Sequence, residues 1–264
     1  MSITEEALLD YLSAFIWPFL RMSGLFLTMP IFGLMSGSTA SSIPAPVKII
    51  ACVLMTITIL PGLPSIPNIE IVSFRGWMVG LQQIMLGVSA GFILQMVMSV
   101  MGFAGQFIAY GMGLGFASMV DPTTGVQVPV IAQLFIVASG LFFLAVDGHL
   151  LLIEMLAQSF HTLPIAMANL EKTDLWRIII WSGQIFVDGV LLSLPVMVSM
   201  LFINLSFGVV SKAAPQLQIF GVGFPITIII GMALIWICFP GMIDNFSEIL
   251  HASFTLVSQL LRIT

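Results

Sequence analysis

The chain predicts an all-α protein built from hydrophobic helical hairpins, with kinked and broken helices. Three observations lead there. Apolar segments follow one another almost from end to end. Of 264 residues, 59% are hydrophobic and only 7% charged. A single glycine-rich, proline-bounded loop, Gly111 to Pro129, interrupts that pattern. A soluble domain carries roughly 25% charged residues, so this chain sits in a membrane or is buried in a hydrophobic assembly. The net charge of −5 comes from few groups, and no cluster of Lys and Arg suggests nucleic acid. Cys52 and Cys238 lie inside apolar runs and read as small buried hydrophobes rather than a disulfide. Glu5, Glu6 and Asp10 stand where a secretory leader would carry positive charge, so no cleavable leader is expected.

In chain order the apolar segments are Tyr11–Phe32, Val47–Leu60, Trp77–Tyr110, Val130–Val146, Trp176–Phe207, Phe220–Phe239 and Ile249–Ile263. A spanning helix needs about 20 apolar residues. Val47–Leu60 is short by that measure. Trp77–Tyr110 would reach about 50 Å at 1.5 Å per residue, beyond a hydrocarbon core of about 30 Å. Such lengths fit hairpins packed against other subunits better than a lipid-facing bundle. Pro18 and Pro195 interrupt apolar runs and should kink their helices. Pro44 with Pro46, and Pro61, Pro64 and Pro67, mark turns, while Leu163–Thr173 reads as a polar connection. Gly76, Gly80, Gly87 and Gly91 fall near one helix face and let another backbone approach closely, either within this chain or at an inter-subunit seam. Near the C-terminus, Phe246, Ile249, Leu250, Phe254, Val257, Leu260 and Leu261 oppose Glu248, His251, Gln259 and Arg262. That stripe predicts an amphipathic helix suited to a partner or a bilayer surface. The seven Lys and Arg are scattered singly and give no orientation by charge.

The loop is the candidate functional element. Backbone groups without helical partners cannot face lipid, so it must be buried in protein or line a wet cavity. Gly111, Gly113 and Gly115 permit unusual backbone conformations and tight approach, and alternate with the apolar Met112, Leu114 and Phe116. Asp121-Pro122 is a turn signal. Met112 and Met119 are candidate gate residues, because methionine seals irregular gaps and yields when something passes. Enzymatic chemistry finds little support. No phosphate-binding loop with its lysine occurs, and Gly221-Val-Gly223 lacks the third glycine of a dinucleotide fingerprint. His149 and His161, with Asp147 and Glu154, are too widely spaced for a metal site and read as boundary residues. No cofactor is expected. Asp188, an acid inside an apolar segment, is a candidate buried acid: a relay, or a hydrogen-bonded carboxylate facing a partner or cavity.

Several ordered blocks resemble the FliR family of flagellar biosynthetic proteins. They are Gly113-Leu-Gly-Phe-Ala117; Asp121-Pro122 followed by Gly125, Pro129 and Gln133; Phe142-Phe-Leu-Ala-Val-Asp-Gly-His149; Phe160-His-Thr-Leu-Pro164; and Ser211-Lys-Ala-Ala-Pro-Gln-Leu-Gln-Ile-Phe-Gly-Val-Gly-Phe-Pro225. The injectisome SctT proteins share the architecture more loosely. The resemblance covers nearly the whole chain and is weakest in the first forty residues. It implies a single-copy subunit of the type III export gate, in the bacterial inner membrane and flagellar basal body, with much of the assembly at the periplasmic side. Partners so implied are FliP and FliQ, the FlhB and FlhA export components, and unfolded export substrates in transit. Residues 1–175 would be a P-like part and 176–264 a Q-like part, with the 111–128 loop entering and plugging the pore. Gly113, Leu114, Gly115, Phe116, Asp121, Pro122, Gly125 and Pro129 carry that role across. Pro215, Gln216, Gly223, Phe224 and Pro225 are expected in subunit packing. Lys212 stands where the family usually has an arginine, and an acid at Asp188 is not typical of it. Two alternatives stay open: a secondary transporter with a broken helix at 111–129, and a scaffold whose gate is built by partners.

Overall fold

The computed structural model of the chain describes residues 5–29, 44–64, 69–70, 73–115, 129–165, 171–213 and 223–263. All regular structure among them is helical: α1 Glu5–Thr28, α2 Ala45–Ile59 with a 3-10 turn at Leu60–Gly62, α3 Phe74–Gly111, α4 Val130–Ala145, α5 Gly148–Thr162, α6 Lys172–Ala213 and α7 Phe224–Leu260. The expected all-α class is what the structure has. Pro46 lies in the first turn of α2, where its missing N–H is harmless. Pro18, Pro195 and Pro240 lie inside α1, α6 and α7, and each helix continues through its proline.

The boundaries differ from expectation in three places. The segment Val130–Val146 does not give way to a loop. Asp147 adopts a left-handed φ of 55°, and the chain resumes as α5 after a 60° bend. Gly148 makes the bend sterically feasible, since a Cβ there would lie 2.5 Å from the Phe143 ring. The polar connection is shorter than predicted, because α6 starts at Lys172. Its first turn is closed by Asp174, whose Oδ2 accepts the Glu171 N–H at 3.1 Å. The parts of Phe220–Phe239 and Ile249–Ile263 from Phe224 to Leu260 belong to one 37-residue helix, α7. The polar residues between them lie on its exposed side: Asp244, Asn245 and Glu248 are exposed while Met242 and Phe246 are buried. The C-terminal stripe is amphipathic as expected, but its apolar face is used inside this chain rather than offered to a partner or bilayer. Phe246, Leu250, Phe254, Val257, Leu260 and Leu261 are all buried.

The chain divides into two compact units, Met1–Met96 with Gly140–Trp181 and Ala252–Thr264, and Val97–Ser139 with Ser182–His251. In the first unit α1 and α3 run parallel: Gly80 faces Leu20 and Trp17, and Gly91 faces Thr28. Gly24 and Gly87 let their backbones meet. A Cβ at Gly24 would lie 2.6 Å from the Ile84 carbonyl oxygen, and one at Gly87 would run into the Arg21 carbonyl. The glycine face of α3 is therefore filled by α1 of the same chain. Trp17, Val79 and Phe160 form the adjacent core with Ile69 and Ile165. The end of α7 closes this unit, with Phe254 stacked on Phe143 at 6.4 Å and the Thr162 hydroxyl donating to the Leu261 carbonyl at 2.6 Å.

In the second unit the C-terminal part of α3 is central. Gly105 admits α4, since a Cβ there would lie 2.7 Å from the Ala132 Cα, and Gly102 faces Ile136, so α3 and α4 are antiparallel. Phe103 meets Phe186 at 5.3 Å and Gly111 meets Met200, so α6 runs parallel to α3. Phe135 contacts Phe239 edge-on at 5.9 Å, bringing α7 against α4.

Candidate functional site

The glycine-rich loop begins where α3 is made to stop. Leu114 N–H donates to the Ala109 carbonyl at 3.0 Å and Gly113 N–H to the Tyr110 carbonyl at 3.0 Å. Gly113 itself has a φ of +80°. These bonds are a Schellman cap with glycine at the left-handed position, the conformation in which a Cβ would clash. Met112 N–H donates to the Ile108 carbonyl at 2.9 Å. The carbonyls of residues 108, 109 and 110 are thus satisfied by the helix's own backbone. That of Gly111 takes a side chain from another helix, the Asn204 Nδ2 of α6, at 2.9 Å.

Side chains reinforce this root. Met112 is 1% exposed and fits a notch in α7, where a Cβ on Gly231 would come within 2.7 Å of its Cγ and Cε. Phe224 lies against Gly113, with ring carbons 3.5 Å from where a Cβ would be. Gly115 lies under the Tyr110 ring. At the far side Pro129 opens α4 and its carbonyl accepts from Gln133 N–H at 3.1 Å. The structure therefore brings Gly111, Met112, Gly113, Leu114 and Phe224 together at one helix end, with Gly115 beside Tyr110. Phe116, Met119, Asp121, Pro122, Gly125, Pro215 and Gln216 lie outside the described residues.

The remaining candidates are placed elsewhere. Gly223 is buried at the entrance to α7, and the exposed Pro225 occupies its first turn. Gly76 is buried near the start of α3, its N–H donating to the Ser73 hydroxyl at 3.0 Å. Asp188 is half-buried on α6 and accepts a hydrogen bond from Gln184 Nε2, one turn earlier, at 3.0 Å. Among the described residues no three His, Cys, Asp or Glu side chains are grouped as metal ligands would be.

Two polar residues inside apolar segments escaped the sequence reading. One is Asn204. The other is Arg21, wholly buried in α1. Its Nε donates to Gln83 Oε1 at 2.8 Å, Nη1 to Ser159 Oγ at 2.9 Å and Nη2 to the Leu163 carbonyl at 2.9 Å. Its guanidinium carbon lies 4.1 Å from the Phe160 ring centre. One planar cation thereby ties together α1, α3, α5 and the turn after α5. The rule applied to Asp188, that an ionised group in an apolar segment needs a reason, would have singled out Arg21 as well.

The profile of the bacterial export proteins, family 1, matches residues 12–253. "Flagellar biosynthetic protein FliR" of Escherichia coli (strain K12) is 34% identical over 264 residues, covering 98% of each chain. Its namesake in Pectobacterium carotovorum subsp. carotovorum is 36% identical over 255 residues, 96% of this chain and 95% of that one. The Bacillus subtilis (strain 168) protein of the same name is 28% identical over 236 residues, 88% of each.

Proposed function

The chain belongs to the bacterial export proteins, family 1, as a flagellar export component of the inner membrane, and we propose that it is the single-copy core subunit of the flagellar type III export gate. In this reading it helps form and plug a channel through which unfolded substrates cross, driven by other components. Its work is conduction and gating. The observation that carries the reading is the root of the loop. A helix in an apolar protein is stopped by a dedicated glycine cap, and its last free carbonyl is satisfied from α6. A loop launched so deliberately from apolar helices is suited to project apolar bulk into a passage and close it to water and ions. The 111–128 loop is the seal, with Met112 its anchored end.

The apolar surface supports a multi-subunit setting. Among the described residues four helices are long and apolar enough to cross a membrane, or five if bent α4–α5 is one span. On α6, exposed large apolar side chains run from Trp176 to Val209. That stripe is about 50 Å long at 1.5 Å per residue, against a hydrocarbon core of about 30 Å. Lipid alone leaves part of it uncovered. The proposed cover is FliP and FliQ, with FlhB and FlhA nearby and much of the assembly at the periplasmic side. The P-like and Q-like parts, 1–175 and 176–264, belong to the same proposal.

Native mass spectrometry of the chain co-expressed with FliP and FliQ tests the assembly, with one copy expected in a defined complex. A chain that purifies folded and alone would overturn it. For the seal, shortening the loop within 111–128 should make the closed complex leak small ions. A shortened loop that holds ions as tightly as the parent would remove that role.

A further inference from the structure

We infer that Asn204 is a positioning residue for the root of the loop, the polar tether by which α6 holds the end of α3 from which the loop departs. The inference rests on the proposed role of that loop as a seal. Of the last carbonyls of α3, those of Ile108, Ala109 and Tyr110 are occupied by backbone N–H groups. That of Gly111 is served from another element, by Asn204 Nδ2 at 2.9 Å, 93 residues along the chain. Leu201, Phe202 and Leu205 around it are exposed and apolar. An amide on such a surface is costly unless it is bonded.

Two apolar contacts act beside the tether. Met112 is seated where α7 has no Cβ, at Gly231, and Gly113 lies against Phe224 at the start of α7. Asn204, Gly231 and Phe224 thus bracket three consecutive residues of the loop root from two helices. Gly113, with its φ of +80°, is the residue that sets the direction of departure. The position of the loop's root is consequently referred to α6 and α7, and a shift of α6 along its axis would carry the Gly111 carbonyl with it or break the bond. The sequence-level reading of the loop, from its glycines and methionines alone, contains no such dependence.

The test uses the complete complex, this chain with FliP and FliQ, reconstituted in vesicles loaded with a small anionic dye. Asn204→Asp keeps the size and removes the donor, and Asn204→Leu removes both polar ends. Both are expected to release dye several-fold faster than the parent while the subunits still co-purify in the parental ratio. Asn204→Gln restores a donor and is expected to leak less than either. If the Asp and Leu variants assemble and hold dye like the parent while a shortened loop leaks, the tether is overturned and the seal stands. If the shortened loop holds dye as well, the seal fails and the tether's role falls with it. If neither Asp nor Leu accumulates with the partners but Asn204→Gln does, Gly231→Ala, which pushes on Met112, decides. Leakage there supports the bracket and retention overturns it. Loss of all three Asn204 variants would make the residue a folding determinant and overturn the inference.

Discussion

Arg21 shows what a single buried group does in this chain. A guanidinium removed from water needs its N–H groups occupied, and three are: by an amide oxygen, a hydroxyl and a backbone carbonyl, with an aromatic face beside them. Arg21→Ala would leave the Leu163 carbonyl and Gln83 oxygen without their donor and open a cavity. The expected loss is on the order of 3 kcal/mol or more, read as a lower midpoint of thermal unfolding in detergent. Gln83 adds a sharper prediction. Its Nε2 is buried and finds no acceptor among the described residues, while its Oε1 serves a cation. Gln83→Glu removes the orphaned donor and converts the bond to a charge-assisted pair, so we expect a gain of about 1 kcal/mol. An unchanged or lowered midpoint for Gln83→Glu would mean that burying the carboxylate outweighs the pairing.

At the scale of elements, glycine is used for approach more than for flexibility. Gly24 and Gly87 allow the parallel helices α1 and α3 to touch backbone to backbone, and Gly105 does the same for α3 and α4. Gly87→Ala should force α1 and α3 apart at the Arg21 carbonyl, costing about 1–3 kcal/mol by overpacking. Hydrogen exchange should then show faster opening of both helices near residues 21 and 87. Exchange in Gly87→Ala indistinguishable from the parent would show that the seam yields without cost. The pattern of apolar segments revealed most of these elements: those at α2, α3 and α4 match the helices to within about three residues, and those at α1 and α6 fall up to six short at one end. It missed α5 because His149, Glu154, Gln158 and His161 dilute the apolar signal of a helix whose buried stripe, Leu152, Met155, Leu156, Ser159 and Phe160, faces the core. It split α7 because Pro240, Asp244 and Asn245 resemble a break, whereas the helix carries them on its exposed side.

For the whole molecule the outstanding feature is apolar surface that the chain does not bury itself. Besides the stripe on α6, α2 exposes Val47, Ile50 and Leu54, and α7 exposes Ile229, Trp236 and Ile237. A stripe longer than the bilayer implies two kinds of cover, and aspartate scanning separates them. Ile180→Asp, Leu191→Asp, Phe202→Asp and Val209→Asp span the exposed face of α6. If the proposed partners FliP and FliQ cover part of it, at least one end of the series should lose their co-purification, because a charge there is desolvated by protein. If every variant retained both partners, α6 would not be a subunit contact.

Sequence by itself determined the class of this protein, because charge scarcity and apolar runs longer than a bilayer admit few other solutions. It also located the end of α3 and the start of α4, since glycine and proline in such surroundings are visible one residue at a time. Only the tertiary structure decided what those residues touch. The glycine face of α3 is filled by α1, the C-terminal stripe is buried within the chain, Arg21 joins four elements, and Asn204 reaches the root of the loop from 93 residues away. The physical reason is the same for all four. Periodicity and composition report how a segment behaves toward an average environment, whereas a hydrogen bond or a backbone contact between distant segments depends on register, which is set when the helices pack.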